Sequence, residues 1–316
     1  MSGLSSTRRT FLTQITALSA AGLCGADLAA ATSKVAYNPA GRFELKVFER
    51  EFRQNQAGRM LMARIYHPVG AGPFPTLLDL HGGAWNFKDR TAEEPMDRAL
   101  ASSGILVVAI DMTLAPEAPY PACVQDANYA VRWLKTTAQM WNGDPSKIGI
   151  YGSSSGGYVG ELLGMRPHDQ RYNAIPLAGA SRDIDATVAY IATRSPISNP
   201  LARFENAADK QRDTMVGYSK KFFDPWEMIV ESNPQLILDR KEKVTLPPLL
   251  IMQGELDDNV LPAVQEKFAR SYNAAGGKCE YRLFEKCEHQ WVAKEGPQTD
   301  RARAMVKEFV ARQMKA

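Results

Sequence analysis

The chain has 316 residues, of which 45% are hydrophobic and 23% charged, and this length and composition suit one large α/β domain or two small ones. The formal net charge is +3 and both signs are scattered, which excludes the basic footprint of a nucleic-acid-binding protein. The chain has no internal repeat and no low-complexity segment, which excludes repeat arrays and compositionally biased chains.

The first 31 residues resemble a twin-arginine export signal rather than part of the fold. Arg8 and Arg9 precede an uncharged stretch, residues 10–26, that is rich in Ala, Thr, Ser and Gly. This stretch is short and weakly apolar for a membrane-spanning helix, and residues 29–31 are three alanines that suit a cleavage site. The alternative is a frayed helix with two chance arginines. We expect a periplasmic or secreted protein with no stable membrane insertion after the signal, residues 1–31, is removed.

Strands and helices alternate along residues 32–316, which are predicted to form a single domain. Period-2 alternation and short apolar runs predict strands at residues 43–47, 61–65, 74–80, 104–110, 185–191, 249–252 and 279–284, with one more before residue 152. Helical spacing predicts helices at residues 91–103, 126–140, 159–165, 264–275 and 301–313. This alternation favours a parallel sheet covered by helices on both faces. Residues 194–244 lack a strand pattern and carry aromatic side chains among charges, which favours an inserted helical cap.

A tight strand-to-helix turn is predicted at Gly152-Ser153-Ser154-Ser155-Gly156. The turn follows a short apolar run and precedes a helix-compatible segment, which is the context of a nucleophile elbow, Gly-x-Ser-x-Gly. Of the three serines, Ser154 has glycines at both −2 and +2, so Ser154 is the candidate nucleophile. The alternative interpretation is a Ser/Gly-rich turn without chemistry.

The candidate base is His289, which lies in the loop after the last predicted strand. A serine nucleophile needs a base, and in hydrolases with such an elbow the chain order is Ser, then Asp or Glu, then His. Four histidines occur in the chain, and His289 lies well beyond Ser154. His168 follows the elbow helix too closely to reach back over the serine, and His67 is interpreted as a surface loop residue.

The candidate acid is Asp257, after the apolar run at residues 249–252. The spacing Gly254-x-x-Asp257 favours Asp257 as the acid, and Asp258 remains the alternative. A carboxylate here would hold the imidazole tautomer and stabilise the imidazolium. Two adjacent aspartates before a helix at Pro262 are also ordinary turn and capping residues.

Small residues at His81-Gly82-Gly83-Ala84 predict a loop whose backbone N–H groups can approach a substrate oxygen. The predicted oxyanion donors are the backbone N–H groups of Gly83, Ala84 and Ser155, the residue after the nucleophile. His81 is expected to hydrogen-bond within this loop rather than to take part in chemistry.

Three motifs in order carry a resemblance to a known family: His81–Trp85, Asp111-Met112-Thr113-Leu114-Ala115-Pro116-Glu117 and Gly152–Gly157. With Asp257 and His289, this arrangement resembles the hormone-sensitive-lipase-like branch of the α/β-hydrolases, including acetyl-esterase and arylformamidase relatives. The resemblance implies an α/β-hydrolase fold, with a mostly parallel eight-stranded sheet, helices on both faces and a helical cap over the site.

The chain departs from the family pattern at several positions. Family members commonly have Tyr and Arg where this chain has Met112 and Thr113, and Asp and Ala where it has Ser153 and Ser155. Ala84 replaces the third glycine of the oxyanion loop, as in some short-acyl and formamidase relatives. No departure removes a predicted catalytic residue, but the bracing of the loops is expected to differ.

The sequence therefore predicts a serine carboxylic-ester hydrolase that acts on small-molecule esters with short- to medium-chain acyl groups through an acyl-enzyme. An arylformamidase- or peptidase-like amidase with the same three residues is the alternative, and a non-catalytic binding protein of the same fold is a third. No cofactor and no metal are predicted, because the chain has no CxxC motif and no Cys/His cluster. Cys123, Cys279 and Cys287 remain after the signal, so at least one thiol is unpaired or pairs between chains.

Overall fold

A computed structural model describes residues 37–177, 179 and 183–316, and the predicted export signal lies outside the described residues. Eight strands form one sheet: β1 (Leu45–Gln54), β2 (Met60–Pro68), β3 (Phe74–Leu80), β4 (Leu106–Ile110), β5 (Gly143–Ser153), β6 (Tyr190–Arg194), β7 (Leu249–Gly254) and β8 (Cys279–Phe284).

The strand order is β1-β2-β4-β3-β5-β6-β7-β8. Strand β2 pairs antiparallel with β1 and β4, and every other neighbouring pair is parallel. The strands in the middle of this order, β3, β4, β5, β6 and β7, are buried along nearly their whole length, as expected for parallel strands covered on both faces. The predicted eight-stranded, mostly parallel sheet is therefore confirmed.

Nine α-helices accompany the sheet in the described part of the chain: α1 (Glu94–Ala101), α2 (Ala122–Thr137), α3 (Ser155–Met165), α4 (Pro200–Asp209), α5 (Asp213–Phe222), α6 (Met228–Glu231), α7 (Pro234–Asp239), α8 (Pro262–Ala274) and α9 (Pro297–Lys315). None of the helices described is long and apolar enough to cross a lipid bilayer.

The two faces of the sheet bury separate apolar clusters, because neighbouring strand residues point to opposite sides. Leu78 and Ile150 pack into one cluster with side chains of α2, α3 and α8. Leu77 and Tyr151, their neighbours along the chain, pack into the other with side chains of α1 and α9. Helices therefore cover both faces, and the strand ends remain free to carry the loops of a site.

Strand β6 lies several residues later than the predicted strand at 185–191. The prediction followed an apolar run, whereas the strand continues through Thr193 and Arg194, which are polar but buried. Thr193 donates a hydrogen bond to the carbonyl of Leu250, and Arg194 pairs with Glu93. Asp185 lies before the strand and binds Lys135 instead. Burial of satisfied polar side chains at the strand end therefore hid its true position.

Helices α4 to α7 occupy the segment between β6 and β7 that the sequence assigns to a cap. Asn199 and Asn233 cap α4 and α7 through their side chains, and each is followed by a proline at the first helical position. Phe222, at the end of α5, stacks on Trp85 with ring centroids 4.4 Å apart. This contact joins α5 to the loop after β3.

Candidate active site

The elbow is a sharp turn between β5, which ends at Ser153, and α3, which begins at Ser155. Ser154 occupies the turn with φ 52° and ψ −115°, a conformation that is strained for any residue but glycine. The flanking glycines are needed for space: a Cβ on Gly156 would lie 1.9 Å from the carbonyl oxygen of Leu80, and one on Gly152 would lie 2.8 Å from that of Gly156. The predicted small-residue pattern thus has a direct steric cause.

Ser154, His289 and Asp257 come together at the ends of three strands. The Oγ of Ser154 lies 3.0 Å from Nε2 of His289, and Nδ1 of His289 lies 2.7 Å from Oδ2 of Asp257. Because Asp257 follows β7 and His289 follows β8, the parallel sheet delivers both loops to the edge where β5 ends. These distances suit a proton relay from hydroxyl to imidazole.

The carboxylate of Asp257 is held from several directions. Its Oδ1 accepts hydrogen bonds from the backbone N–H groups of Asn259 (3.0 Å) and Val260 (2.8 Å), and Gln253 donates to its Oδ2. Burial alone would raise the pKa of Asp257, but the hydrogen bond and charge of His289 and the bond from Val260 lower it below the usual value. Asp258 is instead exposed and pairs with Arg212.

Burial controls the basicity of His289. The desolvation of the ring lowers the pKa of His289 below its usual value, and this outweighs the opposing effect of the hydrogen bond to Asp257. The neutral form, which can accept the proton of Ser154, is therefore favoured at neutral pH.

The loop after β3 turns its backbone back on itself. Gly83, Ala84 and Trp85 have φ values of 106°, 49° and 62° in succession. A Cβ on Gly83 would lie 2.0 Å from the carbonyl oxygen of Phe87, so only glycine fits there. The carbonyl oxygens of Ala84 and Trp85 accept hydrogen bonds from the Asn86 side chain (2.6 Å) and the Ala115 backbone (2.8 Å).

The backbone N–H groups predicted to bind the oxyanion are available to a substrate. Among the described residues, none accepts a hydrogen bond from the backbone N–H of Gly83, Ala84 or Ser155. The Nδ1 of His81 donates to the carbonyl of Gly82 at 2.7 Å, so this side chain hydrogen-bonds within the loop. Burial lowers the pKa of His81, which keeps its ring neutral.

A cavity of about 150 Å³ opens between the loop after β3, Ser154 and His289, and helices α4 and α5. Its lining consists of Gly82, Gly83, Ala84, Phe87, Lys88, Ser154, Arg194, Arg203, Met215, Tyr218, Asn259, His289 and Gln290. Within residues 37–177, 179 and 183–316, no group of three His, Cys, Asp or Glu side chains could hold a metal ion. The three cysteines in that part of the chain are free thiols.

A buried network of polar side chains, which the sequence did not reveal, connects the end of β5 to the loop that carries His289. The Oγ of Ser153 donates to Oε1 of Glu93 at 2.5 Å, and Nη2 of Arg194 lies 3.2 Å from the same oxygen. The Nη1 of Arg194 donates to the backbone carbonyl of His289 at 2.6 Å. Arg194 thus connects the elbow strand to the loop of the candidate base.

The loop with the Asp111 motif is braced from the β1–β2 hairpin rather than by the arginine common in the family. Arg59 donates to Oε2 of Glu117 at 2.8 Å and to the carbonyl of Met112 at 2.9 Å. Arg90 pairs with Asp111 at 3.1 Å. Arginines from other segments therefore supply the positive charge that is absent at Thr113.

A serine on a strand-to-helix elbow, an acid after β7 and a histidine after β8 of a mostly parallel eight-stranded sheet define an α/β-hydrolase. The family model BD-FAE matches residues 64–271, which is more than half of the chain, and the protein therefore belongs to the BD-FAE family. The resemblance to the hormone-sensitive-lipase-like branch of the α/β-hydrolases is thereby confirmed.

Two curated relatives come from Mycobacterium tuberculosis. Carboxylesterase NlhH is 32% identical over 127 residues, 40% of this chain and 40% of that protein. Esterase LipC is 26% identical over 205 residues, 63% of this chain and 47% of that protein. The chain thus spans less than half the length of these two relatives.

Solved structures share the fold. Esterase B of Lactobacillus rhamnosis superposes with a TM-score of 0.72 at 20% identity, covering 87% of each chain. EstE1, a carboxylesterase cloned from a metagenomic library, superposes with a TM-score of 0.70 at 22% identity, covering 86% of this chain and 92% of that one.

Proposed function

We propose that this protein is a serine carboxylic-ester hydrolase whose nucleophile is Ser154. The observation that carries the proposal is the continuous chain of hydrogen bonds from Ser154 through His289 to Asp257, at the wall of a cavity. The BD-FAE family and the relatives named carboxylesterase and esterase support ester hydrolysis as the reaction.

The proposed reaction has two stages. His289 takes the proton of Ser154 as Oγ forms a bond to the ester carbonyl carbon, and the carbonyl oxygen becomes an oxyanion near the N–H groups of Gly83, Ala84 and Ser155. The carbon–alkoxide bond then breaks, and the leaving alcohol takes the proton from the imidazolium. A water molecule next attacks the acyl-enzyme with the same base, and Ser154 recovers its proton as the acid leaves.

We propose that the preferred acyl group is at the short end of the short- to medium-chain range. The cavity of about 150 Å³ is smaller than the roughly 300–1,000 Å³ pockets that hold drug-sized ligands. Its side toward the cap is bounded by Met215 and Tyr218 of α5. A series of 4-nitrophenyl esters of increasing acyl length tests this, and the kcat/KM is expected to fall for long chains. Matched 4-nitroanilides measure amide hydrolysis, which is expected to be much slower.

A fluorophosphonate probe tests the nucleophile. Wild-type protein is expected to be labelled once, and Ser154→Ala is expected to lose both labelling and ester hydrolysis. Ser155→Ala is the matched control, because it keeps the backbone N–H and removes only a buried hydroxyl that hydrogen-bonds to none of the described residues. Labelling that persists in Ser154→Ala contradicts the proposed nucleophile.

We also propose that the protein is exported through its first 31 residues and works in the periplasm or outside the cell. The support is the sequence alone: paired Arg8 and Arg9 before an uncharged segment and three alanines. Replacing both arginines with lysine is expected to keep the full-length protein in the cytoplasmic fraction. Equal export of this double variant and wild type contradicts the proposal.

A further inference from the structure

Arg203 projects from α4 into the wall of the candidate active-site cavity. The residue is only 4% exposed, and its guanidinium lies 5.8 Å from the centroid of the Trp85 ring. Its Nε donates to Oδ1 of Asn259 at 3.0 Å, and its Nη1 donates to the hydroxyl of Ser219 at 3.4 Å. These contacts hold the side chain in place with neutral groups only.

The charge of Arg203 has no counterion in the part of the chain that the structure describes. Among the described residues, no carboxylate oxygen lies within 4 Å of this guanidinium, and none accepts a hydrogen bond from Nη2. Arg194, which lines the same cavity, differs because it is paired with Glu93. Burial lowers the pKa of Arg203 to about 10, so the side chain is still protonated at neutral pH. A buried charge without a partner is costly, which points to a partner that arrives with the substrate.

The other residues that line the cavity are positively charged or neutral. Lys88 also lines it, and no carboxylate of the described residues lies within 4 Å of its ammonium group. None of the described residues that line the cavity is an aspartate or a glutamate. The negative charge of Asp257 raises the pKa of Arg203, but this carboxylate is already bound to His289. The cavity therefore presents excess positive charge to whatever enters it.

We propose that the ester substrate carries a carboxylate, which Arg203 binds inside the active-site cavity. This inference rests on the proposed function and adds the substrate class to it. One unpaired guanidinium matches one unit of negative charge, and a carboxylate accepts N–H donors from arginine in good geometry. The carboxylate belongs either to the acyl part or to the alcohol part of the ester, and the experiment below separates the two.

Two pairs of esters that differ in charge test the proposal on the whole protein. For the alcohol part the pair is 4-acetoxybenzoate and its neutral isostere 4-acetoxybenzamide. For the acyl part the pair is 4-nitrophenyl hydrogen glutarate and 4-nitrophenyl pentanoate, with the spontaneous rate subtracted. Wild type is expected to prefer the anionic member of one pair by about tenfold to a hundredfold in kcat/KM, the range for a hydrogen bond to a charged group.

Two variants assign this preference to Arg203. Arg203→Met keeps much of the apolar stem and removes the charge, so the preference for the anionic ester is expected to disappear, mainly through a higher KM. Lys220→Met is the control, because it removes an exposed charge from α5, and it is expected to keep the wild-type preference. A preference that survives in Arg203→Met, or an equal loss of rate on both members of a pair, overturns the proposal in favour of a structural role.

The wild-type measurements alone keep the proposal testable if Arg203→Met does not fold. Equal kcat/KM for both members of each pair overturns the recognition of a carboxylate and leaves the esterase proposal standing. No turnover of any of the four esters, together with no fluorophosphonate labelling, overturns the proposed function and this inference with it.

Discussion

Ser153, the residue immediately before Ser154, donates a 2.5 Å hydrogen bond to the carboxylate of Glu93. Members of the hormone-sensitive-lipase-like branch commonly carry an aspartate at the position of Ser153. In this chain Glu93 already supplies a carboxylate to the space, and Arg194 balances its charge at 3.2 Å. A hydroxyl fits here because it can donate to that carboxylate, whereas a second carboxylate would repel it.

Ser153→Asp is therefore expected to destabilise the protein although it restores the common family residue. The new carboxylate would be buried against Glu93, and we expect a loss on the order of 3 kcal/mol in the free energy of unfolding at pH 7. Urea unfolding measures the change. Ser153→Ala is the comparison, since it loses only the donor and leaves the Glu93–Arg194 pair in place. Equal stability of the two variants at pH 7 would contradict this explanation.

Asp257 and Asp258 are adjacent in sequence but have separate environments. Asp257 is 2% exposed and bound to His289, whereas Asp258 is exposed and bound to Arg212. Asp257→Asn is expected to lower kcat by about 10⁴-fold, because the amide favours the wrong imidazole tautomer and cannot stabilise the imidazolium. Asp258→Asn is expected to change kcat by no more than about twofold, as a surface substitution. Steady-state rates on one short-chain ester measure both, and a large loss in Asp258→Asn would reverse the assignment.

The strands and the elbow were accessible from the sequence because each leaves a local mark. Buried parallel strands are apolar runs, and the elbow needs glycines at fixed spacing. The position of His289 followed from chain order. The residues that escaped prediction, Glu93, Arg194 and Arg203, are polar side chains buried by contacts between distant segments. Such contacts leave no periodic pattern in the sequence. For the same reason, buried Thr193 and Arg194 were not recognised as part of β6, and the strand was predicted too early, at residues 185–191.

The pH dependence of the reaction follows from the environment of His289. Burial lowers the pKa of His289, and the base must be neutral to accept a proton, so kcat/KM is expected to rise with pH through this lowered pKa. The midpoint of the acidic limb should therefore lie below about 6.5, the usual value for histidine. Rates on a neutral ester between about pH 4.5 and 8.5 locate it. A midpoint above the usual value would show that the charge of Asp257 outweighs burial.

Two buried carboxyl groups on the α1 side of the sheet make stability depend on pH. No side chain of the described residues donates a hydrogen bond to the carboxyl oxygens of Asp79 or Asp97. Burial raises the pKa of each well above the usual value, the charge of Glu93 raises the pKa of Asp79 further, and the charge of Asp79 raises that of Asp97 further. The folded protein therefore holds protons that the unfolded chain releases above about pH 3.9. Stability is expected to fall as pH rises from that value toward the folded-state pKa.

Asp97→Asn is expected to remove part of this pH dependence, because an amide imitates the protonated acid and does not titrate. Each proton bound only by the folded state contributes a slope of about 1.4 kcal/mol per pH unit, so the variant should gain stability relative to wild type between about pH 5 and 8. Near pH 4 the two proteins should differ least. Urea unfolding at several pH values measures the slopes, and Asp209→Asn, at an exposed position, serves as the control. Parallel curves for wild type and Asp97→Asn would mean that the Asp97 carboxyl is ionised in the folded protein.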